Sequence, residues 1–207
     1  MSATLIVMAK APVPGRVKTR LTPPFRPEHA AVLARAALED TLAAVAASRL
    51  AGRRVVALDG EPAGWLPEGF ELVPQRGDGL AQRLAGAFED VGGPALLVGM
   101  DTPQLTPELL DAGLAGLANG ADAVLGPATD GGYWTIGLAR PDRRVFDGVP
   151  MSERHTGAAQ RERLIALGLE THYLPPLRDV DTHEDARSVA AAAPGGRFAA
   201  ALRDLTM

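Results

Sequence analysis

Five basic residues, Lys10, Arg16, Lys18, Arg20 and Arg26, fall in one segment that contains no acidic residue before Glu28. The segment follows a short apolar run, so its charge would gather at the end of a buried strand. That arrangement suits a polyanion: arginine offers a two-pronged fork to phosphate oxygens and lysine a movable point charge. Pro12, Pro14 and Gly15 would hold the loop in a fixed curve and lower the ordering cost of binding. A solvated basic loop is the bland alternative. A P-loop is a poor match, because Gly15, Lys18 and Thr19 lack the G-x-x-x-x-G-K spacing.

Carboxylates of the right kind occur twice. Asp101, in Gly99-Met100-Asp101-Thr102-Pro103, directly follows the most apolar run of the chain. It is placed to ligate Mg²⁺ or Mn²⁺, which take one or two carboxylates together with phosphate oxygens and water. Otherwise it caps a turn. Asp179 and Asp181, in Asp179-Val180-Asp181-Thr182, alternate onto one side of an extended segment. Asp181 is the expected second metal carboxylate, with Asp179 left open in its place, unless Asp181 or Thr182 only caps the next helix.

Two glycine-rich loops could line a pocket. Asp130-Gly131 is a hairpin signal. Tyr133 and Trp134 follow it at once in a chain with only 4% aromatic residues. Asp130, Gly131, Gly132, Tyr133 and Trp134 are therefore candidate substrate-binding residues, with an aromatic ring free to stack on a sugar or base. The loop from Gln75 to Leu80, with Gly79, would either admit a nucleobase or simply start a helix. The four histidines show no metal-ligand spacing, and no serine has a nucleophile-elbow context.

These residues need a scaffold. Apolar runs at residues 4–9, 54–58, 70–73, 94–99, 122–126, 133–138 and 170–174 read as strands. Helical periodicity covers residues 28–50, 80–91, 106–118, 153–167, 184–193 and 197–205, with Thr106 as an N-cap and Pro107 after it. Alternation of the two predicts a single α/β domain with a mostly parallel sheet, whose ligands bind at the strands' carboxyl ends. The 207 residues suffice for one core. A net charge of −4 argues against non-specific nucleic-acid binding. The absence of cysteine excludes disulfides, thiolate catalysis and Cys-based zinc. No apolar run is long enough to span a bilayer, and a cytoplasmic location is expected.

The stretch from Met8 to Leu21 closely resembles the opening signature of the DUF2064 family. Gly99 to Pro107 looks like that family's metal-site segment, Gly126 to Tyr133 like its glycine-rich hairpin, and Asp179 to Thr182 with Asp185 like its C-terminal motif. The resemblance spans residues 4–185. It implies a GT-A-like three-layer α/β/α sandwich of the nucleotide-diphospho-sugar transferase type, a group often labelled glycosyltransferases and linked to radical-SAM or arsenosugar gene clusters. Lys18-Thr19-Arg20-Leu21 and the late acidic run also resemble the guanylyltransferases that activate 2-phospholactate or phosphoenolpyruvate. One departure stands out: Met151-Ser152-Glu153-Arg154-His155-Thr156 occupies the place where the family usually has a Trp-Ser/Gly-Thr segment.

Residues and resemblance together imply metal-dependent transfer from a nucleotide. Ala9, Lys10, Ala11, Pro12, Gly15, Arg16, Lys18, Arg20, Gln75, Gly79 and Leu80 are expected to hold the nucleotide. Lys18, Arg20, Asp101 and Asp130 are expected to be catalytic, and Asp101 with Asp181 to bind the metal. The expected partners are an NTP or NDP-sugar and a small-molecule acceptor, without nucleic acid or membrane, and with a homodimer left open. Nucleotidyl transfer to a phosphorylated acceptor is favoured over glycosyl transfer because the basic loop is richer than a diphosphate needs. A non-catalytic nucleotide sensor is the third class.

Overall fold

Residues 4–9 are apolar on both faces, and in the computed structural model, which describes residues 3–206, they lie inside the sheet. They belong to β1 (Ala3–Lys10), which pairs in parallel with β2 (Ala51–Asp59) on one side and β4 (Ala95–Gly99) on the other. With β3 (Glu71–Pro74), β5 (Ala123–Pro127), β6 (Tyr133–Leu138) and β7 (Thr171–Tyr173) the sheet order is β3-β2-β1-β4-β6-β5-β7. Only β6 runs against its neighbours, pairing antiparallel with β4 and β5. That reversal brings its first residue, Tyr133, to the same edge as the carboxyl ends of β1, β4 and β5.

The helices are α1 (Pro27–Ala47), α2 (Leu80–Val91), α3 (Pro107–Ala118), α4 (Thr156–Ala166), α5 (His183–Ala192) and α6 (Arg197–Thr206). Alternation along β1 feeds two cores. Leu5, Val7 and Ala9 pack with Leu38 and Leu42 of α1 and Leu110 and Leu114 of α3. Ile6 packs on the other face with Leu84 and Phe88 of α2 and Leu164 of α4. The result is the expected three-layer α/β/α sandwich. A third core covers the outer face of α1, where Leu33 and Ala37 meet Val189 of α5 and Phe198 and Leu202 of α6.

Several element ends differ from the sequence expectation, each for a tertiary reason. Helix α1 stops at Ala47 rather than 50. Asp111 of α3 accepts from the Ser48 hydroxyl at 2.6 Å and from the Arg49 and Leu50 amides at 3.2 Å, which converts those residues into a turn. Helix α4 begins at Thr156 rather than 153, because the Thr156 hydroxyl accepts from the Glu153 amide at 3.0 Å and donates to the Pro150 carbonyl at 2.8 Å. Thr106 does cap α3, accepting from the Leu109 amide at 3.4 Å.

Candidate active site

The loop after β1 leaves the sheet with the Ala11 amide bonded to the Asp59 carbonyl at 2.9 Å, and ends in a short 3-10 turn at Thr19–Leu21. Immediately before that turn, Lys18 has a left-handed backbone, φ +48°. Such a conformation is uncommon for a residue with a side chain. Here it turns Lys18 inward, so that only 6% of the side chain is exposed. Its Nζ lies 2.6 Å from Asp101 Oδ1 and also donates to the Val180 carbonyl. Two positions on, Arg20 Nη1 donates to Asp181 Oδ2 at 2.7 Å. The basic loop is thereby bound to both acidic segments foreseen from sequence.

Those acidic segments are themselves joined, the Val180 amide donating to the Asp101 carbonyl at 2.9 Å. The three carboxylates differ. Asp101 is 43% exposed, and Asp181 is neutralised by Arg20. Asp179 has a buried Oδ1 with no hydrogen-bond partner. Burial pushes the Asp179 carboxyl up to about 7, reinforced by the negative charges of Asp101 and Asp130 and partly opposed by Lys18. A buried carboxylate oxygen without a donor is costly unless a cation or proton meets it. Just beyond, Thr182 and Asp185 form a reciprocal capping box at the start of α5. Thr182 is therefore a helix cap, one of the alternatives the sequence allowed.

The β5–β6 hairpin is both a tight turn and a wall. Asp130 Oδ1 accepts from the Gly132 amide at 2.9 Å, closing the turn. Gly131, at φ +96°, has no room for a side chain: a Cβ would sit 1.8 Å from the Arg154 carbonyl oxygen. The Gly157 amide bonds the Gly131 carbonyl at 2.8 Å, which docks the hairpin on the segment leading into α4. Tyr133 and Trp134 then face opposite ways. The Trp134 side chain is a core group, 2% exposed, with its indole N–H on the Pro175 carbonyl at 3.0 Å. Tyr133 is half-buried, with its hydroxyl 3.9 Å from the Met151 sulfur, and burial pushes its phenol up. Tyr133 is the more exposed of the two.

At the other end, the Gln75 amide nitrogen donates to the Ala9 carbonyl at 2.8 Å and the Ala57 carbonyl at 3.0 Å, tying the ends of β1 and β2 together. Its Oε1 is left facing Arg83, 3.5 Å away, and Arg83 is held by Asp59 at 2.9 Å. Gly79, at φ +86°, begins α2.

A cleft of about 1200 Å³ joins these parts. It is lined by Ala9, Lys10, Arg16, Lys18, Arg20, Gln75, Gly79, Leu80, Asp101, Asp130, Gly132, Tyr133, Trp134 and Asp181 among the residues foreseen, whereas Ala11, Pro12, Gly15 and Gly131 lie outside its lining. Asp179, the alternative to Asp181 that the sequence left open, also lines it, as do Arg83 and Arg154, which were not foreseen as site residues. Arg83 sits one turn into α2 after Gly79, a spacing that could have revealed it. Nothing local distinguishes Asp179 from Asp181. Among the described residues no group of three or more acidic or histidine side chains is arranged to hold a metal.

Solved structures with a nucleotide-diphospho-sugar transferase or cytidylyltransferase name share this fold. A protein from Desulfovibrio desulfuricans G20 with the provisional name nucleotide-diphospho-sugar transferase is 30% identical and superposes with a TM-score of 0.86, over 98% of this chain and 94% of its own. CMP:2-keto-3-deoxy-manno-octonic acid synthetase, solved with CTP, shares the fold at 15% identity and a TM-score of 0.58, over 94% of this chain and 99% of its own. So does 2-C-methyl-D-erythritol 4-phosphate cytidylyltransferase from Thermus thermophilus, at 18% identity and a TM-score of 0.59, over 94% of this chain and 100% of its own. No curated protein matches the sequence. The chain belongs to the DUF2064 family, described as an uncharacterized protein conserved in bacteria, whose model matches residues 31–153.

Proposed function

We propose that the protein is a metal-dependent nucleotidyltransferase that joins an NMP from an NTP to a phosphorylated small-molecule acceptor. The observation that carries this reading is the meeting of the basic loop with the acidic segments at the sheet mouth, where the buried Asp179 Oδ1 has no donor beside Asp101. Two carboxylates are what Mg²⁺ or Mn²⁺ takes from protein when phosphates and water complete its shell. The orphaned oxygen favours Asp101 with Asp179 as that pair and leaves Asp181 to orient Arg20. A divalent cation held there would neutralise charge on the α-phosphate and on the departing pyrophosphate.

Lys10 and Arg16, both exposed and without an ion-pair partner among the described residues, receive the β- and γ-phosphates. Gln75, Gly79 and Leu80 border the nucleoside end. An acceptor phosphate oxygen attacks the α-phosphorus and forms the new P–O bond. The bond from the α-phosphorus to the bridging oxygen breaks, and its electron pair leaves with pyrophosphate. Lys18 and Arg20 stabilise the charge that develops, so catalysis is positioning plus electrostatics. A second reading, glycosyl transfer from an NDP-sugar, is supported by the provisional name of the 30% identical relative. There the same cations would hold a diphosphate, Asp130 would orient the acceptor and Tyr133 would border the sugar.

A thermal-shift screen of NTPs and NDP-sugars, with and without Mg²⁺ or Mn²⁺, tests this, since ligands of the folded state raise Tm by mass action. Metal-dependent stabilisation by an NTP, with pyrophosphate release on adding phosphorylated acceptors, is the expected result. Stabilisation by NDP-sugars alone moves the reading to glycosyl transfer. Metal-dependent binding without turnover of any donor would make the protein a nucleotide sensor, and no shift with any nucleotide defeats all three.

A further inference from the structure

Six basic side chains line the cleft: Lys10, Arg16, Lys18, Arg20, Arg83 and Arg154. Three are committed to carboxylates, Lys18 to Asp101, Arg20 to Asp181 and Arg83 to Asp59. Lys10, Arg16 and Arg154 have no ion-pair partner among the described residues. They are not neighbours. Lys10 ends β1 and Arg16 sits on the loop after it, whereas Arg154 sits beside the hairpin leading into β6. Strand β4, which Asp101 follows, lies between β1 and β6 in the sheet.

We propose that Arg154 is the anchor for the anionic head of the second substrate, a phosphate monoester or phosphonate, at a subsite across the acidic cluster from the nucleotide's own phosphates. The inference rests on the nucleotidyl-transfer reading for what the second substrate is, but not for the existence of the anion site. Nearby acid does not claim the guanidinium, because Glu153 turns to His155 at 3.3 Å. The backbone beneath it is fixed. Its carbonyl packs on Gly131, which has no Cβ to push it away. Thr156 holds both the Glu153 amide and the Pro150 carbonyl, and the Gly157 amide holds the Gly131 carbonyl. A free guanidinium on a fixed backbone suits phosphate, whose oxygens match the planar fork two at a time. Fixing the backbone in advance also lowers the ordering cost on binding.

The test uses inorganic phosphate as probe and calorimetry as readout, in a Lys10→Ala/Arg16→Ala protein that lacks the unpaired cations of the nucleotide side. All three residues are exposed, so their removal opens no core. Phosphate is expected to bind this protein saturably, and adding Arg154→Ala to weaken it by about tenfold or more. Arg154→Lys, which keeps the charge and loses the fork, should fall between. Acetate should bind more weakly than phosphate; equal affinity would overturn the phosphate assignment. Undetectable phosphate binding before Arg154 is changed, or equal affinity after it is, would overturn the site itself. The unmodified chain's Mg²⁺–NTP thermal shift reports separately on the reaction. If that shift is absent while Arg154 still governs phosphate binding, the reading fails and the anion site stands.

Discussion

Lys18 places an ammonium group against Asp101, where the proposed metal would make its first protein contact. Two cations cannot share that oxygen without strong repulsion. In the nucleotide-free protein, Lys18→Met is therefore expected to tighten Mn²⁺ binding, measured by the loss of free-ion paramagnetic resonance signal, while lowering turnover. Weaker Mn²⁺ binding in the variant would mean that Lys18 helps to shape the metal site rather than competing for it. Asp179 gives a second test. Its carboxyl rises in the folded protein from 3.8 to about 7, so folding disfavours the charged form. The cost is absent below pH 4, grows as pH rises through that window and is complete above about 7. Asp179→Asn should therefore melt higher than the parent at pH 8, by about 2–4 kcal/mol in stability, and match it near pH 4. It should also lose the stabilisation by Mg²⁺–NTP. At this scale the sequence marked residues that line the cleft but not their pairing. Asp179 and Asp181 look alike in a line of residues. They are told apart by Arg20, which stands 161 positions before Asp181.

At the scale of elements, the hairpin leading into β6 and the turn before α4 form one unit because two glycines let their backbones touch. Gly131→Ala would set a methyl 1.8 Å from the Arg154 carbonyl at φ +96°, so the turn must move. A loss of about 2–4 kcal/mol in denaturant unfolding is expected. Gly148→Ala is the control: its φ of +75° carries similar backbone strain but nothing lies within 4 Å of the new methyl. About 1 kcal/mol is expected there. Asp40 of α1 supplies the N-terminal cap of α6 from outside that helix, accepting from the Arg197 and Phe198 amides at 2.9 Å. Asp40→Ala should cost about 1–2 kcal/mol and leave nucleotide binding unchanged. The order and type of these elements were legible because periodicity is a local property. Residues 80–91 and 133–138 match α2 and β6 end for end. Where the ends slipped, at residues 48–50 and 153–155, distant partners or a side-chain turn had ended the helix. The antiparallel insertion of β6 between β4 and β5 was not legible either, since a hairpin signal fixes one neighbour of a strand and not the other.

On the scale of the whole molecule, a chain with a net charge of −4 keeps a cluster of six basic side chains in one cleft. Nucleotide affinity should consequently fall as salt is raised, more steeply than for a neutral ligand in the same cleft. The acidic segment that faces this cluster is anchored from behind. Val180, fully buried, belongs to the core shared by α1, α5 and α6. The placement of Asp179 and Asp181 is thus tied in part to α6, which does not line the cleft.

The ion pair of Arg20 with Asp181 joins the first tenth of the chain to its last seventh, and that span has a consequence during synthesis. A ribosome extends a chain from its amino end, so the basic loop emerges long before the late acids that face it. A nascent chain that has reached α4 already displays Lys18 and Arg20 without Asp179 or Asp181. Such a chain leaves Arg20 without its carboxylate partner, while Lys18 already has Asp101. The cleft is complete only once residues 178–182 meet the loop and α5 and α6 pack behind them.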